Sequence, residues 1–375
     1  MTTTLGLQLE PLDVLFFRDG RPFTPASRGR SELPMPQTLA GALWTGLLEK
    51  HGCDFTVVRR LMSESKRDLA DAIREASGIT WLDSVAIRGP WLARRTNHEF
   101  QVLVPAPAVL HVAKHGGNSP PSTLVRLRPL AADRLPGWKL SLPADQVGLW
   151  PLWHRQIKAT EPASGFLTPD GLRDFLADRE VQAEDVKKPK ELFDFDHRTG
   201  IGIDPDRLTA QDSLIYAASF LALAREVCLY AEVVLPDGVP RDVVEDLGTL
   251  RLGGEGRRVR VSALADAFSW SGVESASAQL LPHPLVLLTT PAMFAGGWRP
   301  QATAGRLLAA SVPGSVPVSG WDLLVGGPKR TRFAVPPGSV YYLNKHLDPW
   351  PLALSDAPED QRQGWGCYVK GVWNE

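Results

Sequence analysis

Near the N-terminus the hydrophobic period changes, and that change limits the folds open to this chain. Leu5, Leu7 and Leu9 alternate with Gly6, Gln8 and Glu10, the two-residue period of a strand with one buried face. Pro11 interrupts the alternation, which resumes at Leu12, Val14 and Phe16. Beyond residue 34 the period lengthens. Leu39, Leu43 and Leu47 recur at i+4 beside Ala40, Trp44 and Leu48, a helix opened by Pro36 and stopped near Gly52. Gly41 and Gly46 each cost such a helix roughly 1 kcal/mol against Ala, so close approach to a neighbouring sheet is expected there. A second helical pattern runs through VVRRLMSESKRDLADAIREAS, and strand-like segments follow at TWLDSVAIRGPWL and FQVLVPAPAVLHV. Strand, helix, strand, strand is the opening of a ferredoxin-like unit, with helices on one sheet face.

At 375 residues the chain is long enough for two domains, and no repeat of 20–50 residues subdivides it. Thirty-three glycines and 32 prolines are scattered among apolar stretches, which predicts many turns and irregular connections rather than one disordered tail. From about 115 to 165 the sequence is rich in Pro, Gly and Trp with little periodicity. TPDGLRDFLAD (168–178) reads as a capped helix, whereas 185–220 reads as charged and then loop-like. VCLYAEVVL, HPLVLLTT and GSVYYL are later strand candidates, and a second strand-and-helix domain is expected from about residue 200.

The chemistry-bearing residues exclude more than they establish. Cys53, Cys228 and Cys367 lie far apart with no C-x-x-C pair, which argues against a disulfide framework or a common zinc spacing and for a reduced, cytoplasmic protein. There is no basic-then-apolar leader and no apolar run near ~20 residues, so no membrane association is expected. The eight histidines are dispersed, and no H-E-x-x-H, G-x-S-x-G or P-loop pattern occurs; no metal or other cofactor is expected. Asp196 and His197 could act as base and acid in metal-independent RNA cleavage, although a solvated loop is the commoner use of such a pair.

Positive charge is concentrated instead. Arg18, Arg21, Arg28 and Arg30 stand against Asp19 alone, and RLGGEGRRVR (251–260) sets four arginines against Glu255. GGPKRTR places Lys329, Arg330 and Arg332 after a Gly-Gly step. Gly253 and Gly254 in the second patch allow close backbone approach, while arginine offers a planar fork for phosphate. At a net charge of −1, three such patches point to an anionic partner bound locally. At the C-terminus Gly364, Gly366 and Gly371 surround Trp365, Tyr368 and Trp373. This pattern suits either a backbone cradle with stacking rings or a twisted edge strand.

Several segments in order resemble one family: EPLDVLFFRDGRPF, PMPQTLAGALWTGLL, RTGIGIDPDRLTAQDSLIYAASF, LRLGGEGRR, LTTPAMFAGGWRP, SGWDLL, AVPPGSVYYL and GWGCYVKG. Together they are similar to the RAMP-superfamily third subunit of the type III-B (Cmr) CRISPR effector complex, from residue 5 to 373. The resemblance implies an α+β protein of two ferredoxin-like (RRM-like, RAMP) domains with long irregular insertions, here 1–200 and 201–375. It implies a non-catalytic subunit that holds the repeat-derived 5′ tag of the guide RNA near the target RNA. Its implied protein partners are the large palm-domain signature subunit and a backbone RAMP subunit. Carried onto this chain, the RNA contacts are Arg18 and Arg21 on the first turn, then Gly253, Gly254, Arg257 and Arg258. Gly364, Gly366 and Gly371 form the glycine-rich loop, and a thumb-like hairpin falls at 180–205. The alternative is a nuclease of the same superfamily that processes repeat RNA with a histidine-centred site.

Overall fold

A computed structural model describes residues 2–17, 28–29, 31–96, 99–113, 124–131, 134, 148–154, 160–204, 206–207, 209–274, 283–322 and 326–374. It is an α+β protein built on two antiparallel sheets. The first begins with β1 (Thr3–Pro11), whose Leu5, Leu7 and Leu9 face the core as the alternation requires. Three helices follow: α1 (Pro36–Lys50), α2 (Phe55–Glu64) and α3 (Leu69–Ser77). The single helical pattern read at 57–77 is two helices, because Lys66 takes a positive φ and Asp68 caps α3 by accepting from the Asp71 N–H.

Helix α1 lays Leu39, Leu43 and Leu47 on the leucines of β1. Each such side chain contributes about 1.5–3 kcal/mol by leaving water. Of the two glycines in α1, Gly46 is the packing one: a Cβ there would lie 2.4 Å from Leu250 Cδ2, while one at Gly41 meets nothing within 4 Å.

The chain then forms β2 (Ala86–Arg95) and β3 (Phe100–Pro105) and enters a long insertion. The insertion holds α4 (Pro169–Leu176), N-capped by Thr168, and the strands β4 (Phe193–Ile203) and β5 (Ala210–Leu223). The stretch read as loop-like is therefore a long antiparallel hairpin, with Phe193 opposite Leu223 and Ile201 opposite Ile215. Charged residues alternate along β4, and its partner strand satisfies the backbone that a solvated loop would leave to water.

Beyond the insertion the chain returns to the first sheet as β6 (Val227–Leu235), β7 (Thr249–Arg251) and β8 (Arg258–Ala263). The sheet order runs β3–β2–β6–β1–β8–β7, with two short strands beyond β3. Taken as β1, β2, β6 and β8, this is the 2-3-1-4 order of a ferredoxin-like unit whose second and third strands are separated by the insertion. The third strand is thus β6, which pairs with both β1 and β2. The division expected between residues 200 and 201 does not follow the sheets, since β6 to β8 complete the sheet that β1 began.

The second sheet repeats the order with β9 (Pro284–Leu288), β10 (Leu307–Ser311), β11 (Val340–Leu343) and β12 (Tyr368–Val372), arranged β10–β11–β9–β12. One face packs Leu285, Leu287, Tyr342 and Trp373 against Leu172, Phe175 and Leu176 of α4. The other packs Val286, Tyr341 and Leu343 with Phe294 and Leu354.

The second face of the first sheet is closed by the later chain: Trp91, Tyr230 and Cys228 meet Phe268, Trp270 and Cys367. Glu232 lies there fully buried, bonded by Arg88 Nη1 at 2.8 Å, Tyr230 Oη at 3.0 Å and Trp270 Nε1 at 2.6 Å. Burial pushes its carboxyl above the usual carboxylate range, and Arg88 opposes that. All three cysteines are buried and free.

Candidate functional site

The strand that leaves β1 ends at a crowded corner. Leu15 exchanges backbone hydrogen bonds with Leu221 of β5, both at 2.8 Å. The Phe17 N–H donates to Ser31 Oγ at 3.0 Å, and the Glu32 N–H donates to the Phe17 carbonyl. Arg28 and Gly29 add a short parallel pairing to Ala217 and Ala218. Phe17 is thereby fastened to Ser31 and Glu32, and Arg28 and Gly29 to β5. Arg18, Arg21 and Arg30 lie outside the described residues, and of Arg28 the backbone alone is described.

The second basic patch meets the same corner. The Gly254 N–H donates to the Phe16 carbonyl at 2.8 Å. Gly253 has φ +83°, and a Cβ on it would lie 2.4 Å from that carbonyl and 2.9 Å from the Phe17 ring. The two glycines therefore allow the turn to close on Phe16 and Phe17, a protein contact where the sequence assigned a phosphate contact. Arg257 is likewise engaged. Its Nη1 donates to Asp13 Oδ2 at 2.6 Å, and its guanidinium lies 4.7 Å from the Phe220 ring centre. Arg198 lies 4.9 Å from the same ring, and Phe16 stacks on it at 5.0 Å. The Asp13 carboxyl is held below its usual range, first by the Val14 backbone N–H and then by Arg257 and Arg198.

What remains free is the outer face of β7 and β8. Valines 259 and 261 are buried, so Arg258 and Arg260 point out, and Arg251 stands directly opposite Arg258. Arg260 has Glu10 at 3.9 Å, whereas among the described residues Arg251 and Arg258 carry no ion pair. Like charges directly opposite in a sheet are destabilising by a few tenths of a kcal/mol to about 1 kcal/mol, so this pair is costly until an anion sits on it. Arg251 and Arg260 stood in the quoted patch, and the RVRV alternation is the signal that separates outward from inward side chains.

The third patch abuts the start of α1. Gln37 Nε2 donates to the Ser319 carbonyl at 2.8 Å, and the Lys329 N–H donates to Gly320 O at 2.7 Å. Met35 packs with Val318, Ala334 and Trp365. Lys329 and Arg330 are exposed. Arg332 is not available as a free fork, because it binds buried Asp360 bidentately at 2.7 and 2.5 Å. Residues 17, 31–37, 253–254, 319–320 and 329 are thus linked contact by contact around the N-terminal end of α1.

The C-terminal glycines have another use. A Cβ on Gly364 (φ +90°) would sit 2.7 Å from Gly89 O, one on Gly366 (φ +79°) 2.5 Å from Ser355 N, and one on Gly371 2.6 Å from Leu176 O. All three are buried, with Trp365 and Trp373 about 1% exposed, so the loop docks onto β2 and α4 and leaves no space for a phosphate or a stacked base. Asp196 and His197 are adjacent on β4 and point to opposite faces: Asp196 bonds Arg198 at 2.8 Å, and His197 Nδ1 contacts Ser219 Oγ at 2.8 Å. They do not share a proton path. Among the described residues no group of three or more His, Cys, Asp or Glu is placed to hold a metal, and no helix is long and apolar enough to cross a membrane.

The family described as "CRISPR-associated protein (Cas_Cmr3)" matches residues 7–373. The chain is similar to one in the cryo-EM structure of type III-B Cmr-beta bound to cognate target RNA and AMPPnP, state 1. The identity is 15%, covering 90% of this chain and 86% of that one, with a TM-score of 0.50, a likeness of fold. A chain of type III-B Cmr-beta bound to cognate target RNA matches at 16% identity with the same coverage and a TM-score of 0.49. One from the Csm1-Csm4 cassette with AMPPNP matches at 11% identity over 99% and 96% of the two chains, with a TM-score of 0.36. No curated protein matches the chain.

Proposed function

The chain belongs to the Cas_Cmr3 family of CRISPR-associated proteins, subunits of the type III-B effector complex, and from that premise we propose that it is the non-catalytic subunit that holds the 5′ tag of the guide RNA. The observation that carries the reading is that Phe17 with Ser31, Gly254 with Phe16, and Lys329 with Gly320 are linked around the N-terminal end of α1, while Arg251 and Arg258, which flank the 253–254 turn, have no ion pair among the described residues. Rigid mounting matters as much as charge. Phe16 and Phe17 are 5% and 8% exposed, so the segment beginning at Arg18 starts from an immobile base, and less side-chain entropy is lost when a phosphate binds.

In this reading the tag RNA lies across the outer face of β7 and β8 and the turn that begins at residue 18. Lys329 and Arg330 flank it on the side of the second sheet. The β4–β5 hairpin, whose Ile201 and Ile203 are more than half exposed, is the thumb that meets the guide–target duplex. The large signature subunit and the first backbone subunit are the protein partners, one at each side of the pair of ferredoxin-like units. The protein works in the cytoplasm, where the guide is loaded. The nuclease alternative has little support in the opposed directions of Asp196 and His197.

The test is tag-RNA binding by the purified chain against salt concentration. Replacing Arg251 and Arg258 together by alanine lowers the slope of log K against log[salt] by about one to two units, since each phosphate contact on a single strand contributes roughly 0.7. An unchanged slope removes this face from the interface.

A further inference from the structure

Arg126, Arg128, Trp150 and Trp153 of the insertion before α4, with Asp178 after it, line an open cavity of about 610 Å³. Its wall carries an unusual charge arrangement. The carboxylate of Asp178, 3% exposed, faces two guanidinium groups: Arg128 Nη1 at 2.8 Å and Arg126 Nη1 at 2.9 Å. One negative charge against two positive ones leaves a positive charge in surplus on Arg128, which is 40% exposed at the cavity wall and also donates to the Asn374 carbonyl.

Arg126 makes that surplus sharper. Its side chain is 9% exposed, with Nη1 donating to the Phe175 carbonyl at 3.0 Å and the guanidinium 4.2 Å from the Phe175 ring centre. Among the described residues its Nε and Nη2 have no hydrogen-bond partner, although both are buried, and the same holds for His154 Nδ1 on the same wall. Buried donors left unpaired are costly, so the site is built for an acceptor. Beside these donors stand Trp150 and Trp153, the latter 48% exposed, so one indole face is open to the cavity. An anionic head and a flat aromatic body fit the two halves of this wall, and 610 Å³ lies within the range of small-molecule sites.

We propose that this cavity binds a nucleoside-phosphate unit, with the phosphate on Arg126 and Arg128 and the base stacked on Trp153. The unit is either a free nucleotide or one nucleotide of an RNA strand. The proposal rests on residues separate from those around the N-terminal end of α1, and it stands or falls apart from the reading of that interface.

Calorimetric titration of the full chain with uridine 5′-monophosphate, uridine, a short uridine oligonucleotide and a glutamate-rich peptide tests it. Binding of the monophosphate identifies a free-nucleotide site, and binding of the oligonucleotide alone identifies a strand site. In either case uridine binds at least tenfold more weakly. Trp153→Ala removes a half-exposed side chain and leaves thermal melting unchanged, and it weakens binding roughly tenfold through the lost stacking. Arg126→Lys keeps the charge but removes the planar fork, and it weakens binding further. The proposal is overturned if neither nucleotide ligand binds, if Trp153→Ala leaves their affinity intact, or if the acidic peptide takes the site in their place.

Discussion

Gly371→Ala separates the two uses that a glycine-rich C-terminus can have. In this fold the added methyl group would lie 2.6 Å from Leu176 O and 2.8 Å from Leu176 Cα, both main-chain atoms of α4. Neither can turn aside as a flexible side chain would, so α4 and β12 must separate along a core that holds Phe175, Val369 and Trp373. Overpacking of this kind costs about 1–3 kcal/mol, and two main-chain contacts below 3 Å put this site at the upper end, about 3 kcal/mol. For units of 150–250 residues that is a fall in Tm of roughly 6–12 °C. Gly41→Ala is the matched control: nothing lies within 4 Å, and the substitution gains the helix about 0.5–1 kcal/mol. Thermal unfolding without RNA, followed by tag-RNA binding well below the transition, reads both effects. A Gly371→Ala variant that melts like the wild type and loses RNA binding would refute the packing argument and return this loop to the phosphate.

Other outcomes follow from the same geometry. Arg332→Ala strands the buried Asp360 carboxylate and lowers stability by about 2–3 kcal/mol, discounted because the arginine itself is half exposed; an unchanged Tm with weakened RNA binding would reverse that assignment. Arg257→Ala loses Asp13 and the Phe220 face and lowers stability, whereas Arg258→Ala leaves stability within about 0.5 kcal/mol and acts on the salt slope. The Glu232 carboxyl has a raised folded pKa, so the folded state holds that proton more tightly than the unfolded chain. Stability therefore falls as pH rises from the ordinary glutamate range through the raised value. Glu232→Gln flattens this part of the pH–stability profile, and a profile identical to the wild type would exclude Glu232 as its source.

The elements with a clean period were legible in the sequence. β1, α1, α4 and β6 show their burial patterns in the residue order, because one face of each is a continuous apolar row. Less was legible where partner strands are far apart. The third strand of the first unit is β6, more than a hundred residues after β2, and nothing local to either strand announces their pairing. The hairpin β4–β5 was hidden because its strand faces are both partly solvated, so charged residues masked the alternation.

At the candidate site, composition correctly marked where arginines gather but not which are occupied. Arg257 and Arg332 are held by Asp13 and Asp360, residues distant in sequence, and the pairing is visible only once the chain is folded. The glycines misled for a related reason. A glycine permits close approach without saying to what, and Gly253, Gly364 and Gly371 approach protein backbone or rings.

Photocrosslinking of tag RNA carrying 4-thiouridine to this chain, within the assembled effector and read by peptide mass spectrometry, addresses the interface most directly. The account predicts crosslinks in 18–30, 251–260 and 326–330, all lost when Arg251 and Arg258 are replaced. Crosslinks confined to the outer faces of α2 and α3, with those three segments silent, would contradict it.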